Sequence, residues 1–159
     1  MKYDDASWHY GGDFPQDLPD EAGATHIAMF VAWCVLNGMA GALHLEDFAD
    51  DAERLRARAC TPGTWFMNVC DGKFTDEDVN EEGNAFAASY YAYDGSNPSR
   101  YVSDYERVLG AGLPSLYHVP DTWTSYDLLA PVIVRRFEAF KAPPPAPSLL
   151  GRLFGRKPS

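Results

Sequence analysis

Cysteine, positive charge and long apolar runs are all scarce in this sequence. The three cysteines, Cys34, Cys60 and Cys70, are an odd number and show neither a CxxC pair nor a Cys/His spacing. They therefore argue against a disulfide framework and against a zinc knuckle. The longest apolar stretch, residues 27–36, is far shorter than the roughly 20 residues that span a bilayer, and the N-terminus has no apolar signal region. The sequence predicts a cytoplasmic protein without stable membrane association.

The scarcity of basic residues is uneven along the chain. There are 13 Lys and Arg against 23 Asp and Glu, which gives a formal net charge of −10. Residues 1–98 contain 18 acidic and 5 basic side chains, whereas residues 143–159 contain 3 basic and no acidic ones. Nucleic-acid binding depends on Lys and Arg that release counterions from phosphates. We therefore expect no nucleic-acid partner, and an acidic body suits a basic protein partner.

The composition predicts one globular domain followed by a short tail. Apolar residues make up 46% and aromatic residues 14% of the 159 positions, which is too much for a disordered chain. A domain of this size buries roughly 70% of its unfolded surface and holds a core without disulfides. The proline-rich stretch at 142–148 marks the boundary. We predict a globular acidic domain over residues 1–141, and a linker with a basic, disordered tail over residues 142–159.

Apolar periodicity predicts a mainly α fold. Ile27, Phe30, Val31 and Cys34 recur at helical spacing, and apolar residues also fill the other faces, so a buried central helix is expected over 22–37. Further helices are expected over 46–59, from Thr75 to about Tyr91 and over 99–109. The 61–63 segment is expected to be a break, and residues 65–70 stay unassigned. The predicted architecture is a compact bundle of five or six helices around the central helix. The N-terminal segment is expected to be irregular and can include a short strand.

Pro131 leaves two possibilities for the last helix. Leu129, Ile133, Phe137 and Phe140 lie on one helical face. Either a helix from Ser125 is kinked at the proline, or the helix begins with Pro131 at its first position, where proline is favoured. We expect the second arrangement.

The N-terminal segment contains a candidate metal site. Asp4, Asp5, His9 and Asp13 lie within ten residues, and carboxylate oxygens and imidazole nitrogens both bind divalent ions. A remote histidine such as His26 could complete the site. The alternative is that the aspartates cap turns and the histidine bonds locally. If the site exists, it belongs to a small metal-dependent enzyme; otherwise we expect no metal or cofactor.

Other catalytic signals are weak. The other two histidines of the sequence are His44 and His118. Three of the four histidines could converge in space near Glu46 or Asp47. There is no G-x-S-x-G elbow, Walker A loop or G-x-G-x-x-G motif. An apolar environment would raise the pKa of the Cys34 thiol and make it unreactive. The sequence therefore favours a non-enzymatic role.

A dense acidic run is the strongest indication of a binding surface. It carries five carboxylates at the start of a predicted helix, where acids also favour the helix dipole. The residues are Asp76, Glu77, Asp78, Glu81 and Glu82. A solvated helix start is the simpler interpretation, and a docking surface for a basic protein is the functional one. We add the aromatic Trp8 and its neighbour His9 as predicted binding residues, because buried aromatics contribute affinity at interfaces.

Three long motifs resemble a family of uncharacterised bacterial proteins. They are YDDASWHYGGDFP, GATHIAMFVAW and KFTDEDVNEEGNAF, and the resemblance extends from about Lys2 to Lys141. The family has no assigned activity, so the resemblance transfers no catalytic residue. It implies a bacterial, cytoplasmic accessory protein. Small acidic proteins of this kind are similar to immunity proteins, which leads us to expect a binding module that neutralises a basic toxin.

Overall fold

The computed structural model describes residues 1–95 and 98–145. Two short strands, seven α-helices and three 3-10 turns follow one another in these residues. The strands are β1 (Lys2–Asp5) and β2 (Lys73–Thr75), and the 3-10 turns are Ala6–His9, Asp20–Ala24 and Leu116–His118. The helices are α1 (Thr25–Leu36), α2 (Ala42–Leu45), α3 (Ala49–Arg56), α4 (Pro62–Cys70), α5 (Glu81–Tyr90), α6 (Arg100–Leu109) and α7 (Trp123–Lys141). The predicted mainly α architecture with a short N-terminal strand is confirmed.

Helix α1 is the centre of the core. Each of its residues except Leu36 is buried, as its apolar composition on every face requires. Phe30 contacts the rings of Phe74 and Tyr101, and Trp33 contacts Phe86. The helix ends before Gly38, which has a φ of +80° that glycine adopts without strain. The predicted central helix is thus confirmed, with residues 20–24 forming a 3-10 turn before it.

The two strands attach the N-terminus to the middle of the chain. They pair antiparallel, with Asp4 opposite Phe74 and Asp5 opposite Lys73. The register shifts between Lys2 and Asp4, which is a bulge in β1. Bulges change the direction of neighbouring side chains and are frequent beside functional sites. Here the bulge lies directly before Asp4.

The helix predicted over 46–59 is wrong in its extent. The chain forms α2 and α3, separated by a turn in which the Glu46 N–H donates to the Ala42 carbonyl and the Phe48 N–H to that of Leu43. The expected break at 61–63 is instead a helix start. Thr61 caps α4 by accepting from the Thr64 N–H, and Pro62 occupies the first turn, where its missing N–H costs nothing.

The helix predicted from Thr75 begins later, at Glu81. Oδ2 of Asp78 accepts hydrogen bonds from both the backbone N–H and the hydroxyl of Thr75, so this pair closes a turn after β2. Asn80 is the actual cap, since its side chain accepts from the Gly83 N–H at 2.9 Å. The Thr75/Asp78 spacing is compatible with a helix start and with a turn of this kind. Because Asp78 is buried, the chain forms the turn.

The expectation that the last helix begins at Pro131 is also wrong. Helix α7 begins at Trp123 after the cap Thr122, and Pro131 lies inside it. An internal proline costs about 3 kcal/mol. The helix continues because Tyr126 and Leu129 are buried before the proline, as Ile133 is after it. Burial of such side chains contributes roughly 2 kcal/mol each and offsets the cost.

No helix in the described residues has the length and apolarity needed to cross a membrane. The predicted tail lies largely outside the described residues, because the description ends at residue 145.

Candidate functional site

Asp4, His9 and His26 converge at one place although they come from three different elements. Asp4 is in β1, His9 ends the 3-10 turn that follows, and His26 is in the first turn of α1. Their potential ligand atoms all lie within 4.8 Å of one another. The pairing of β1 with β2 brings the N-terminus against α1, so the tertiary fold assembles the group. Three of the five predicted metal ligands are thus brought together.

The two histidines face the same carboxylate at different distances. His9 Nε2–H donates to Asp4 Oδ1 at 2.9 Å, whereas His26 Nε2 lies 3.6 Å from Asp4 Oδ2. The two imidazole rings meet edge to face with centroids 4.6 Å apart. Only the His9 contact has hydrogen-bond length. The His26 nitrogen is therefore held near the carboxylate without bonding to it closely.

Two tyrosines complete the polar surroundings. The Tyr91 hydroxyl donates to Asp4 Oδ2 at 2.6 Å. The Tyr117 hydroxyl lies 2.9 Å from His9 Nδ1. In the tautomer whose Nε2 proton is directed to Asp4, Nδ1 accepts from the Tyr117 hydroxyl. Neither tyrosine was predicted, because both are far from Asp4 in sequence and no local spacing indicates them.

Burial and charge affect the three groups differently. Burial opposes ionisation of Asp4, but the nearby His26 imidazole and the hydrogen bonds from His9 and Tyr91 outweigh it and hold the pKa of the carboxyl well below its usual range. Burial lowers the pKa of His26 despite the neighbouring carboxylate. The group therefore presents an anionic carboxylate and a neutral imidazole, which are the protonation states that a metal ion requires.

A pocket of about 590 Å³ includes Tyr117, which contacts His9, but Asp4, His9 and His26 do not line it. Tyr117 and Thr25 line it, so the Tyr117 hydroxyl connects the pocket to His9. Its other walls combine apolar and polar residues, among them Leu18, Met67, Val119, Glu21, His118 and Asp121. Pockets of this size with a few polar groups are typical of small-molecule sites.

Two of the predicted metal ligands do not join the group. The Asp5 carboxylate bonds to Lys2 and to the Ser7 N–H and hydroxyl, so it caps the turn that carries His9. Asp13 is exposed. The alternative interpretation, that an aspartate caps a turn, is correct for Asp5. Trp8, a predicted binding residue, is 59% exposed, with the Lys2 ammonium 5.1 Å from its ring centroid.

The acidic run is only partly a surface. Glu77 and Glu81 are exposed, Asp76 pairs with the N-terminal ammonium, and Glu82 pairs with Lys141. Asp78 is 2% exposed and accepts from His44 Nε2–H at 3.0 Å. The prediction that Asp78 contributes to a docking surface is therefore wrong.

The remaining histidines do not meet Glu46 or Asp47. His44 is buried against Asp78, and His118 lies near Asp17 and Ser115, away from the group at Asp4. The thiol of Cys34 is buried inside α1, and burial raises its pKa, as the sequence indicated.

The sequence profile of a family described as a domain of unknown function, DUF7832, matches residues 2–119, and the chain belongs to this family. No curated protein and no solved structure matches the chain. Asp4, His9, His26 and Tyr117 all lie within the matched residues, whereas α7 lies beyond them.

Proposed function

We propose that this protein binds a divalent ion of the zinc class through Asp4, His9 and His26, and that the centre serves hydrolytic chemistry. The observation that carries the proposal is the convergence of two imidazoles on one carboxylate from three separate elements. This is the metal-dependent enzyme that the N-terminal cluster indicated, with a smaller ligand set.

The spacing of the three groups supports coordination. Ligand atoms about 2.0–2.1 Å from a tetrahedral ion are separated by roughly 3.3 Å. The distances of 2.9 and 3.6 Å from the two histidines to Asp4 lie on either side of that value. Small side-chain movements would therefore place an ion between them. A simple hydrogen-bonded network accounts for His9 but leaves the His26 distance unexplained.

Tyr117 supports the orientation of His9. When Nε2 binds a metal, the ring proton moves to Nδ1, which can then donate to the Tyr117 oxygen 2.9 Å away. Histidines that bind metals usually donate their other N–H in this way, which orients the ring. The existing contact therefore suits both the free and the metal-bound forms.

Partial exposure of the group supports catalysis over a purely structural role. The His9 side chain is 23% exposed and that of Asp4 13%. Three protein ligands leave one tetrahedral position for water, and a bound zinc ion lowers the pKa of that water to about 7. We expect the substrate in the pocket lined by Tyr117, whose hydroxyl contacts His9. We expect an electrophilic carbonyl or phosphoryl compound.

Metal analysis of the purified protein tests the proposal. Wild-type protein dialysed against zinc is expected to retain about one ion at this centre with micromolar or tighter affinity, and His9→Ala and His26→Ala to lose it. His118→Ala is the matched control, because His118 also lies beside an aspartate but outside the group. Circular dichroism checks that each variant is folded. Equal zinc affinity in His9→Ala and His118→Ala would contradict the proposal.

Hydrolytic activity needs a separate measurement. Zinc-loaded protein is expected to hydrolyse at least one of p-nitrophenyl acetate and bis-p-nitrophenyl phosphate faster than the chelator-treated protein does. Asp13→Ala, at an exposed carboxylate outside both the group and the pocket, should keep this difference, and His9→Ala should lose it. Tight metal binding without any zinc-dependent hydrolysis would restrict the proposal to metal binding.

A second candidate, binding of a basic protein, is supported by an acidic groove. Two separate acidic segments border the same groove of about 400 Å³, Glu46 and Asp47 on one side and Asp76 and Glu77 on the other. Opposite charge on a partner would accelerate association. This role is the immunity-type neutralisation of a basic toxin that the acidic composition indicated.

A pull-down with paired charge reversals tests this candidate. Wild-type protein is expected to recover a basic protein at low salt and to lose it as the salt concentration rises. Combined Glu46→Lys and Glu77→Lys should abolish recovery. Glu106→Lys in α6 provides a control of the same chemistry on an exposed site away from the groove. Recovery unaffected by the paired reversal would remove the acidic groove from consideration.

A further inference from the structure

A second group of metal-ligand side chains lies inside the core. His44 comes from α2, Cys70 ends α4, and Asp78 lies in the segment before α5. All three are buried, and their potential ligand atoms lie within 4.8 Å of one another. We propose that His44, Cys70 and Asp78 form a second, thiolate-containing site for a zinc-class ion, separate from the centre at Asp4.

The distances within this group are close to those of a metal site. His44 Nε2 lies 3.0 Å from Asp78 Oδ1 and 4.0 Å from Cys70 Sγ. A tetrahedral zinc ion, with bonds of about 2.0–2.1 Å to nitrogen or oxygen and about 2.3 Å to sulfur, separates these pairs by roughly 3.3 and 3.6 Å. Each separation would change by only a few tenths of an ångström.

The carboxylate of Asp78 is oriented for such a role. Its Oδ2 accepts from the Thr75 N–H at 2.7 Å and from the Thr75 hydroxyl at 3.1 Å. Its Oδ1 is directed to His44. Metal-binding carboxylates are commonly held in this way by hydrogen bonds to the oxygen that does not bind the ion. One oxygen of Asp78 is therefore committed to the backbone, and the other faces the two remaining ligands.

His44 is incompletely bonded in its present environment. Its Nδ1 is buried and has no hydrogen-bond partner among the described residues, while the Trp65 ring lies 5.2 Å away by centroid distance. A buried polar atom without a partner costs about 1–3 kcal/mol. Coordination at Nε2 would leave Nδ1 without a partner, so this cost is the same with and without an ion. What an ion would offset is the cost of burying the Asp78 carboxylate and the Cys70 thiol in an apolar core.

A small pocket approaches His44, which is itself fully buried. This pocket of about 140 Å³ between α2 and α3 has His44 in its wall, together with the acidic Asp50 and Glu53. Arg56 also lines the pocket and pairs with Glu53, so Asp50 is the carboxylate there that would attract a cation. Three protein ligands leave one tetrahedral position for a water molecule.

The simpler explanation is a His44–Asp78 hydrogen bond beside an inert thiol. Burial raises the pKa of Cys70, so without an ion its sulfur keeps its proton. Binding of an ion would release that proton and create a metal–thiolate bond. The two explanations therefore differ in one spectroscopic property, the presence of a thiolate ligand.

Cobalt(II) distinguishes them, because thiolate ligands give an intense near-ultraviolet charge-transfer band that carboxylates and imidazoles do not. The reduced full chain is titrated with cobalt(II) both in the folded state and during refolding from urea, so slow entry does not hide the site. The wild-type protein should show the band at saturation. Cys70→Ser should lose it, and Cys60→Ser, a partly buried cysteine elsewhere, should keep it.

His9→Ala separates this proposal from the proposed function. It should retain the charge-transfer band while the number of bound ions falls by about one per chain. Loss of the band in His9→Ala would show that the thiolate ligand belongs to the centre at Asp4, which would contradict the second site. Absence of the band in the wild-type protein under both conditions overturns the second site. This result comes from the wild-type protein alone, so it does not depend on whether any variant folds. A band that persists in Cys70→Ser also overturns it.

Discussion

Arg136 binds the buried carboxylate of Asp104 with two nitrogens, Nε at 2.7 Å from Oδ2 and an Nη at 3.0 Å from Oδ1. The Tyr90 hydroxyl donates to the same carboxylate at 2.9 Å. Since these residues lie in α7, α6 and α5, one aspartate joins three helices. Charge-assisted bonds of this type are the stronger ones in proteins.

Asp104→Asn should therefore lower the free energy of unfolding by about 2 kcal/mol at pH 7, as expected for hydrogen bonds to a charged group. Burial opposes ionisation of Asp104, but the bonds from Arg136, Arg107 and Tyr90 lower its pKa to about 2. Because this value lies below the unfolded pKa of about 3.9, the stabilisation is complete above that pH and is lost as the pH falls toward about 2. Urea unfolding at several pH values should show that the free energies of unfolding of the wild type and the variant converge as the pH approaches about 2.

The exposed pair of Asp127 and Arg58 is the control for that experiment. Asp127→Asn should change the free energy of unfolding by less than about 1 kcal/mol, because exposed ion pairs contribute little. An equal loss in the two variants would show that burial does not explain the role of Asp104.

Removal of the Tyr117 hydroxyl should weaken metal binding without abolishing it. Tyr117→Phe keeps the ring but removes the oxygen that lies 2.9 Å from His9 Nδ1. Loss of such a supporting contact typically reduces metal affinity about 10- to 100-fold. Zinc affinity by isothermal titration calorimetry measures the effect. Tyr93→Phe, at an exposed tyrosine outside the site, should bind zinc as the wild type does.

Replacement of the internal proline of α7 should stabilise the protein. Pro131 is exposed and interrupts the hydrogen-bond pattern of the helix. Pro131→Ala should raise the free energy of unfolding by about 1–3 kcal/mol, measured by urea unfolding. Pro143→Ala, just beyond the end of the helix, should leave it nearly unchanged. A destabilised Pro131→Ala would indicate that the core depends on the bend that proline imposes.

Gly41 should tolerate no side chain, for a steric reason. A Cβ atom at this position would lie 2.1 Å from the Glu77 carbonyl oxygen, which belongs to the backbone and cannot simply rotate away. The Gly41 N–H also donates to the Asp78 carbonyl at 3.0 Å. Gly41→Ala should therefore destabilise the protein by about 1–3 kcal/mol and lower its melting temperature. Gly11→Ala, where a Cβ meets nothing within 4 Å, is the matched control.

Local sequence patterns correctly predicted several of the helices. The apolar faces of 27–34 predicted a buried central helix, and α1 is that helix. The apolar periodicity of 99–109 predicted α6, which begins after Ser99. These predictions succeed because helix formation depends on residues three and four apart, and on capping groups that are close in sequence.

The predicted helix boundaries are wrong where contacts with residues distant in sequence determine them. Thr75 and Asp78 match a helix start, but Asp78 is drawn into the core by His44 and closes a turn. Pro131 matches a first helical position, but burial of Tyr126 and Leu129 extends α7 before it. In both cases tertiary burial outweighs a local preference of one to three kcal/mol.

The sequence by itself determined the mainly helical class, the acidic character and the candidate metal ligands of the N-terminal cluster. Only the tertiary structure decided that Asp4, His9 and His26 meet while Asp5 and Asp13 do not. It likewise decided that Asp78 joins His44 and Cys70 inside the core. The physical reason is that composition and periodicity act along the chain, whereas a site is formed by groups from separate elements, and their meeting depends on the packing of β1 and α4 around α1.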